Sequence, residues 1–254
     1  MTEGYVLVAI GKEYEDMAYK LVDTLRKNGD HRDVAVITDY EEEDLPLIKE
    51  CSTPFEAWGT LPKICLDKLL QFDHNIFLDS DVLCIGDTQQ VWDIVKAQDN
   101  FIYQLGIPED LTFNRGMAAE SAKRHGWGIP PRVQGGFIYL NRNKLDEDFF
   151  TWMQKEAFLN YNEYFPWERR YKGSRTDQCI YSMAHAKFNL PVLSMLENPI
   201  MTFMESYEPL PTRRVYFKGR EVTLNKNVAF AHMMGSCKPR LPGYKTVYEE
   251  IINV

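Results

Sequence analysis

No stretch of this 254-residue chain approaches the roughly 20 consecutive apolar positions that a helix needs to cross a membrane. The N-terminus also lacks a basic segment followed by a long apolar core, since the run Tyr5-Val6-Leu7-Val8-Ala9-Ile10 is too short for a secretion signal. Cys51, Cys65, Cys84, Cys179 and Cys237 are odd in number and include no Cys-x-x-Cys pair. That pattern excludes a disulfide framework and a zinc ribbon and predicts reduced thiols, the state of an intracellular protein. A basic excess is missing too. Lys and Arg number 29 against 37 Asp and Glu, for a net charge of −8, so the basic stripe of a nucleic-acid binder is not expected. An acidic chain can still take an anion such as a nucleotide diphosphate, but it needs a local cation to do so. Neither Gly-x-Gly-x-x-Gly nor a Walker-type Gly-Lys-Ser/Thr occurs, which takes most of the weight from dinucleotide-fold and phosphate-loop readings. These gaps together predict a soluble, cytoplasmic protein with no transmembrane segment and no nucleic-acid partner.

What is present is the composition of a globular protein, 44% hydrophobic and 26% charged. With no internal repeat and no low-complexity linker, residues 1–254 read as a single domain. Tyr5 to Ile10 is a buried strand ending at Gly11. A helix follows, with Met17, Leu21, Val22 and Leu25 at helical spacing and a stop near Asn28-Gly29. Val34 to Thr38 is the next strand, and the acidic run Glu41–Asp44 after it reads as a solvated face. This strand–helix–strand start predicts an α/β fold with a mixed, mostly parallel central sheet flanked by helices.

Further helices are predicted over Leu61–Leu70, with Pro62 in the first turn, and over Thr88–Ala97, capped by Thr88 or Asp87. Asp146–Leu159 reads as an amphipathic helix, and another helix runs from Asp177 to about Ala186. Strands are expected over Phe101–Leu105, Val133–Asn141 and Val228–Ala231, with a hairpin over Val215–Leu224 turning at Gly219. The glycine pair Gly135-Gly136 interrupts the second of these strands and suggests a bulge or a close backbone approach to a ligand. Gly106–Pro131, rich in turn residues, reads as a long functional loop.

The chain is organised around Asn75-Ile76-Phe77-Leu78-Asp79-Ser80-Asp81-Val82-Leu83. The apolar run marks a central strand covered on both faces. In an extended backbone Asp79 and Asp81 project to one side while Ser80 turns away. Two carboxylates on one side make a hard-oxygen site for Mg²⁺ or Mn²⁺, beyond the carboxyl end of a strand where α/β sheets bind ligands. His232 ends another apolar strand and adds an imidazole, which tilts the choice toward Mn²⁺. Gly235 permits a close backbone approach, and Lys238 offers a point charge for a diphosphate.

With these residues in view a resemblance becomes specific. Phe77-Leu78-Asp79-Ser80-Asp81 resembles the Asp-x-Asp metal motif of glycosyltransferases of the GT-A fold. His232-x-x-Gly235-x-x-Lys238-Pro239 is similar to the C-terminal motif of glycosyltransferase family 8, which includes glycogenin and lipopolysaccharide galactosyltransferases. The resemblance implies a metal-dependent, retaining transfer of a hexose from a UDP-sugar to a hydroxyl acceptor, be it saccharide, lipid-linked sugar or protein. It divides the domain into a nucleotide-binding half, 1–105, and an acceptor and sugar half, 106–254. Asp79, Asp81 and His232 would ligate Mn²⁺ or Mg²⁺. Ala9, Ile10 and Tyr14 would hold the uracil ring, and Lys63, Asp79-Ser80, Gly235 and Lys238 would contact the donor. Gly135-Gly136 would approach the donor sugar, and Asp177, Gln178 and Lys238 would carry catalysis. Gln134-Gly135-Gly136 departs from the family's usual Asn-Ser/Thr-Gly, so the donor sugar stays open.

Each of these residues also has a purely structural reading. Tyr14 could cover the sheet, Asp177 could serve a helix N-terminus, Lys63 could lie in solvent, and the aromatics Tyr161–Tyr171 could be packing. Arg213, Arg214, Lys218 and Arg220 read as a solvated hairpin face. A sugar-1-phosphate nucleotidyltransferase and an inert nucleotide-sugar-binding protein are the alternative functions, and the sequence leaves a homodimer open.

Overall fold

The computed structural model describes the chain apart from residues 41–44, 52, 55, 109–116, 166–174, 196, 199, 205, 209–213, 218–219, 223–227, 234–241 and 254. The expectations for the acidic run Glu41–Asp44, Trp167, Tyr171, Arg213, Lys218, Gly219, Gly235, Cys237 and Lys238 therefore lie outside the described residues.

Strand β1 (Glu3–Val8), helix α1 (Lys12–Lys27) and strand β2 (Asp33–Ile37) form the predicted opening unit, with β1 and β2 parallel. Gly11 makes the turn between strand and helix at φ +94°, a backbone that side chains with a Cβ rarely adopt. The Leu61–Leu70 helix is present but interrupted: a wide π-type turn (Glu56–Thr60) leads into α2 (Leu61–Ile64), and α3 (Leu66–Leu69) follows Cys65. Strand β3 (His74–Leu78) is buried along its whole length, as its apolar run required. Strand β4 (Val82–Cys84), helix α4 (Gln89–Lys96) and strand β5 (Ile102–Ile107) come next.

Within the stretch expected to be loop lies helix α5 (Met117–Arg124). Its Ala118, Ser121 and Ala122 are buried, a stripe of small residues that carries too little apolar volume to register as helical periodicity. Strand β6 (Arg132–Asn141) follows, and its antiparallel pairing with β5 shifts register across the glycine pair, from Ile138 opposite Gln104 to Val133 opposite Gly106. Helix α6 (Glu147–Thr151) is capped by Asp146 and widens into a π-type turn over Trp152–Phe158. Then come α7 (Tyr161–Tyr164), α8 (Asp177–Phe188), and strands β7 (Leu193–Ser194), β8 (Met201–Met204) and β9 (Ser206–Glu208). The predicted hairpin is β10 (Arg214–Phe217) against β11 (Arg220–Val222), antiparallel with Val215 opposite Val222. Strand β12 (Phe230–Met233) and helix α9 (Pro242–Asn253) complete the described chain.

The larger sheet has the order β2-β1-β3-β6-β5-β7, mixed in direction because β1 and β2 are parallel while β5 and β6 are antiparallel. Two three-stranded sheets, β11-β10-β9 and β4-β12-β8, accompany it among the described residues. By compactness the chain forms two units, each drawn from three stretches. One comprises Met1–Glu3, Tyr40–Ile76 and Asn100–Leu196, and the other Gly4–Asp39, Phe77–Asp99 and Glu197–Val254. No helix among the described residues is long and apolar enough to cross a membrane.

In the first unit the core is aromatic. Phe149 meets Phe101 and Phe150 edge-on at 5.3 Å, and α8 is buried on nearly all sides. His185 of α8 is enclosed between Gln104 Oε1 at 3.0 Å and the Leu190 carbonyl at 3.2 Å, and burial pushes its imidazole down to about 4. In the second unit α9 packs on α1 over Met17, Leu83, Ala231, Met233 and Val247.

The second unit also holds a buried polar hub. Asp30 Oδ2 accepts hydrogen bonds from Tyr5 Oη at 2.6 Å and Thr88 Oγ1 at 2.5 Å, and Trp92 Nε1 donates to Tyr5 Oη at 2.9 Å. Arg32 closes the set from its main-chain nitrogen, 3.0 Å from Oδ1, and its guanidinium, 3.2 Å from Oδ2. Thr88 is thus the N-cap of α4 by position, while its hydroxyl serves Asp30 and Asp87 accepts from Gln89 N at 2.8 Å.

Burial alone would raise the Asp30 carboxyl, but the bonds from Thr88, Tyr5 and Arg32 outweigh it and hold the group below the ordinary carboxylate value. A carboxyl lowered in the folded state stabilises the fold above its unfolded value of about 3.9, and that stabilisation is lost as pH falls below it. Asp30→Asn should therefore cost about 2–4 kcal/mol in urea unfolding at pH 7, since it strands donors in the interior. The gap between the two proteins should shrink steadily as unfolding is measured below pH 4.

Candidate functional site

Directly after β3 the chain turns. Val82 N donates to the Asp79 carbonyl at 3.1 Å, so Asp79-Ser80-Asp81 is a turn rather than extended backbone. The alternation argued from the sequence therefore does not aim the two acids. The turn does, together with the ladder that follows it. Strand β12 pairs antiparallel with β4, setting His232 opposite Val82, and Met233 N donates to the Asp81 carbonyl at 3.2 Å. His232 Nε2 thereby stands 3.2 Å from Asp81 Oδ1 and 3.9 Å from Asp79 Oδ2. All three side chains are partly buried, and their donor atoms lie within 4.8 Å of one another. Ser80 is buried beneath them.

Those separations suit a shared cation. Donors about 2.1 Å from an octahedral ion stand about 3.0 Å apart when adjacent and about 4.2 Å apart when opposite. Two carboxylate oxygens and one imidazole nitrogen suit Mn²⁺, and Mg²⁺ less well. The residues present therefore fit a divalent metal. In the same unit Ala9 is buried, with its N–H on the Ile37 carbonyl at 2.8 Å, Ile10 is half-buried, and Tyr14 is 42% exposed on the first turn of α1. Tyr14 thus keeps much of its ring in solvent.

A second cluster belongs to the other unit. Lys63 Nζ, on α2, lies 3.3 Å from Asp177 Oδ2, on the first turn of α8, and both side chains are largely buried. The solvent-exposed reading of Lys63 is thereby corrected, because α2 presents it to a carboxylate instead of to water. Gly135 lies against this pair. A Cβ there would collide with Asp177 Oδ2 and stand 3.4 Å from Lys63 Nζ. The glycine pair lies where the β5–β6 register shifts, between Ile138 opposite Gln104 and Val133 opposite Gly106, so it marks an irregularity in β6 as well as leaving room for the ion pair. Gln134 Oε1 accepts from Gln178 Nε2 at 2.9 Å and from Gly135 N at 3.1 Å, so Gln178 is tied to the same strand. Gly136, beside them, is buried. Asp177 does occupy a helix N-terminus, where the macrodipole favours a carboxylate, and it carries the ion pair as well.

Sequence reasoning missed Glu56, Arg175 and Tyr181, which bond to the backbone on either side of this cluster's residues. Tyr181 Oη donates to the Lys63 carbonyl at 2.6 Å, and Glu56 pairs with Arg175 two residues before Asp177. An acid at an otherwise small and apolar stretch, Glu56-Ala57-Trp58-Gly59, was the one signal available.

No family model and no curated protein sequence matches the chain. Solved structures do. The whole chain is similar to 95% of the galactosyltransferase LgtC in complex with donor and acceptor sugar analogues, at TM-score 0.54 and 13% identity. It is similar over its whole length to 50% of WbbM, a bifunctional glycosyltransferase, at TM-score 0.58 and 14% identity. A third likeness covers 95% of the chain and all of mouse xyloside xylosyltransferase 1, at TM-score 0.54 and 10% identity. At such identities the likeness is one of fold, and the fold is that of the GT-A glycosyltransferases.

Manganese binding at Asp79, Asp81 and His232 would stabilise the folded chain by mass action, by about 2.7 kcal/mol at 100 times the dissociation constant. Mn²⁺ should raise the melting temperature of the parent by several degrees. In the His232→Ala and Asp81→Asn variants the rise should largely vanish, and differential scanning fluorimetry checks it.

Proposed function

We propose that the chain is a glycosyltransferase that moves a hexose from a UDP-sugar to a hydroxyl acceptor, with retention of configuration at the anomeric carbon. The observation that carries this reading is the convergence of Asp79, Asp81 and His232 on a GT-A fold, at spacings suited to one divalent cation. Neutralising the negative charge that develops on a departing UDP is the chemistry such a cation supplies when bound, worth several kcal/mol.

The remaining work falls to the chain's own side chains. Lys238, within the segment similar to the family 8 motif, contributes a compact ammonium to the diphosphate, and Gly235 lets the backbone approach it. Tyr14 stacks on the uracil beside Ala9 and Ile10, and Asp79 with Ser80 meets the ribose. Lys63, Gly135 and Gly136 contact the donor sugar. Asp177 offsets positive charge at the anomeric carbon, with Gln178 beside it orienting the sugar. This set has no activated serine or cysteine, so rate enhancement rests on leaving-group stabilisation and on positioning the acceptor hydroxyl. The neighbours whose names describe galactosyl and xylosyl transfer support the class of reaction and leave the sugar open.

UDP release from a panel of UDP-sugars, with Mn²⁺ and without acceptor, tests the reading. At least one donor should be hydrolysed, the rate should collapse on adding EDTA, and Asp81→Ala should lower it by at least about 10³-fold, on the scale of losing a main source of electrostatic stabilisation. Lys238→Ala should lower kcat more than it raises KM, because the ammonium acts on the leaving group. Release unaffected by EDTA and by Asp81→Ala would contradict the assignment.

A further inference from the structure

The Lys63–Asp177 pair is set on two helices whose approaches are fastened together by a buried clamp. Glu56 has no exposed side-chain surface. Its Oε1 accepts from the Arg175 main-chain nitrogen at 2.8 Å, and its Oε2 takes the Arg175 guanidinium at 2.9 Å. One π-type turn further on, Thr60 Oγ1 donates to the Arg175 carbonyl at 2.8 Å. Arg175 Nη1 also reaches the Glu50 carbonyl at 2.9 Å, and its guanidinium lies 4.5 Å from the centre of the Phe158 ring. Arg175 is thus held by its nitrogen, its carbonyl and its side chain at once. Thr176 N then donates to Tyr161 Oη at 3.1 Å, and the next residue is Asp177. Tyr181 of α8 also donates to the Lys63 carbonyl.

This arrangement has a physical cost that packing alone does not require. A charged pair taken out of water adds little net stability over an apolar pair of the same shape. What it gives is direction, because carboxylate and guanidinium bonds are strong and geometrically strict. Glu56 spends one oxygen on the backbone of the residue two positions before Asp177, and the turn it begins runs into α2, which bears Lys63. A displacement of either helix changes the Lys63–Asp177 separation, and Gly135 leaves no slack beneath Asp177.

We propose that Glu56, acting through Arg175, is a positioning residue that fixes the Lys63–Asp177 pair over Gly135, and that it thereby governs turnover rather than donor affinity. What the pair is positioned to do rests on the glycosyltransferase reading above. The clamp's bonds run to the approaches of α2 and α8, so its loss is expected to misplace the pair and leave Mn²⁺ binding intact. Misplacements of an ångström at a reacting centre cost up to about 10²-fold in rate.

The test uses Glu56→Gln, which keeps the side chain's shape but sets an N–H group against donors, and the milder Thr60→Val, which removes only the bond to the Arg175 carbonyl. Two readouts are taken on the full chain: labelling of each lysine by an amine-reactive probe, located by peptide mass spectrometry, and steady-state UDP release. The expected result is faster labelling at Lys63, with Lys12 and Lys245 unchanged. Alongside it, kcat should fall about 10-fold or more in Glu56→Gln and less in Thr60→Val, while KM for the donor stays within about twofold. Unchanged Lys63 labelling with undiminished kcat in folded variants overturns the proposal. So does a loss of activity in both variants that accompanies faster labelling of every lysine, since that reports unfolding; if only Glu56→Gln unfolds, Thr60→Val decides. A parent that releases no UDP, with Lys63 labelling still raised in the variants, refutes the functional reading and leaves the clamp standing.

Discussion

Two carboxylates held within 4.8 Å of each other repel, by about 3 kcal/mol in a medium of effective dielectric near 20 and less once solvent screening is counted at these partly exposed groups. The structure accepts that repulsion and fixes the acids in place. The turn from Asp79 to Val82 sets the first half of the geometry, and the bond from Met233 N to the Asp81 carbonyl sets the second. Through that contact and the β4–β12 ladder a histidine some 150 residues away in sequence is brought 3.2 Å from Asp81. An imidazole alone offsets the repulsion only when protonated, whereas a divalent cation offsets it at any pH at which the acids are ionised. The cluster has the electrostatics of a site built around an external positive charge.

The second cluster solves a different problem. Lys63 and Asp177 neutralise each other without an ion, and their difficulty is location rather than charge. Gly135 gives them room, Gln134 anchors Gln178, Tyr181 anchors the Lys63 backbone, and Glu56 anchors the approach to Asp177. Each anchor is a strong bond from a buried or partly buried side chain to main chain or amide. Such bonds lock positions while leaving the paired groups oriented toward Gly135. The unit behind them is aromatic and closely packed around Phe149, so a helix shift there meets resistance from Phe101, Phe150 and Tyr181.

Much of this was legible in the sequence because apolar period and turn chemistry act locally. The run Ile76-Phe77-Leu78 announced a strand buried on both faces, and Gly11 announced the strand-to-helix turn. The Val215–Leu224 hairpin was visible from its central glycine. Helix α5 was not, because alanine and serine fill its buried face and leave no apolar stripe. The acids were read correctly as partners but for an inadequate reason, since a turn rather than an extended backbone aims them.

Asp30, Glu56 and Tyr181 stayed hidden for a common cause. Each is recognisable only by the groups it meets across tens of residues, at Tyr5 and Thr88, at Arg175, and at Lys63, and no local pattern encodes such pairings. The glycine pair at 135–136 was flagged for close approach, and only the structure shows that what approaches is the Asp177 carboxylate.

The central claim is that one divalent ion binds Asp79, Asp81 and His232. Crystals grown with Mn²⁺ and UDP, measured at an X-ray energy where manganese scatters anomalously, test it most directly. The account predicts one anomalous peak about 2.0–2.3 Å from an oxygen of each acid and from the Nε2 of His232. A crystal in which UDP is bound and the manganese peak lies away from these three residues, or is missing, would contradict it.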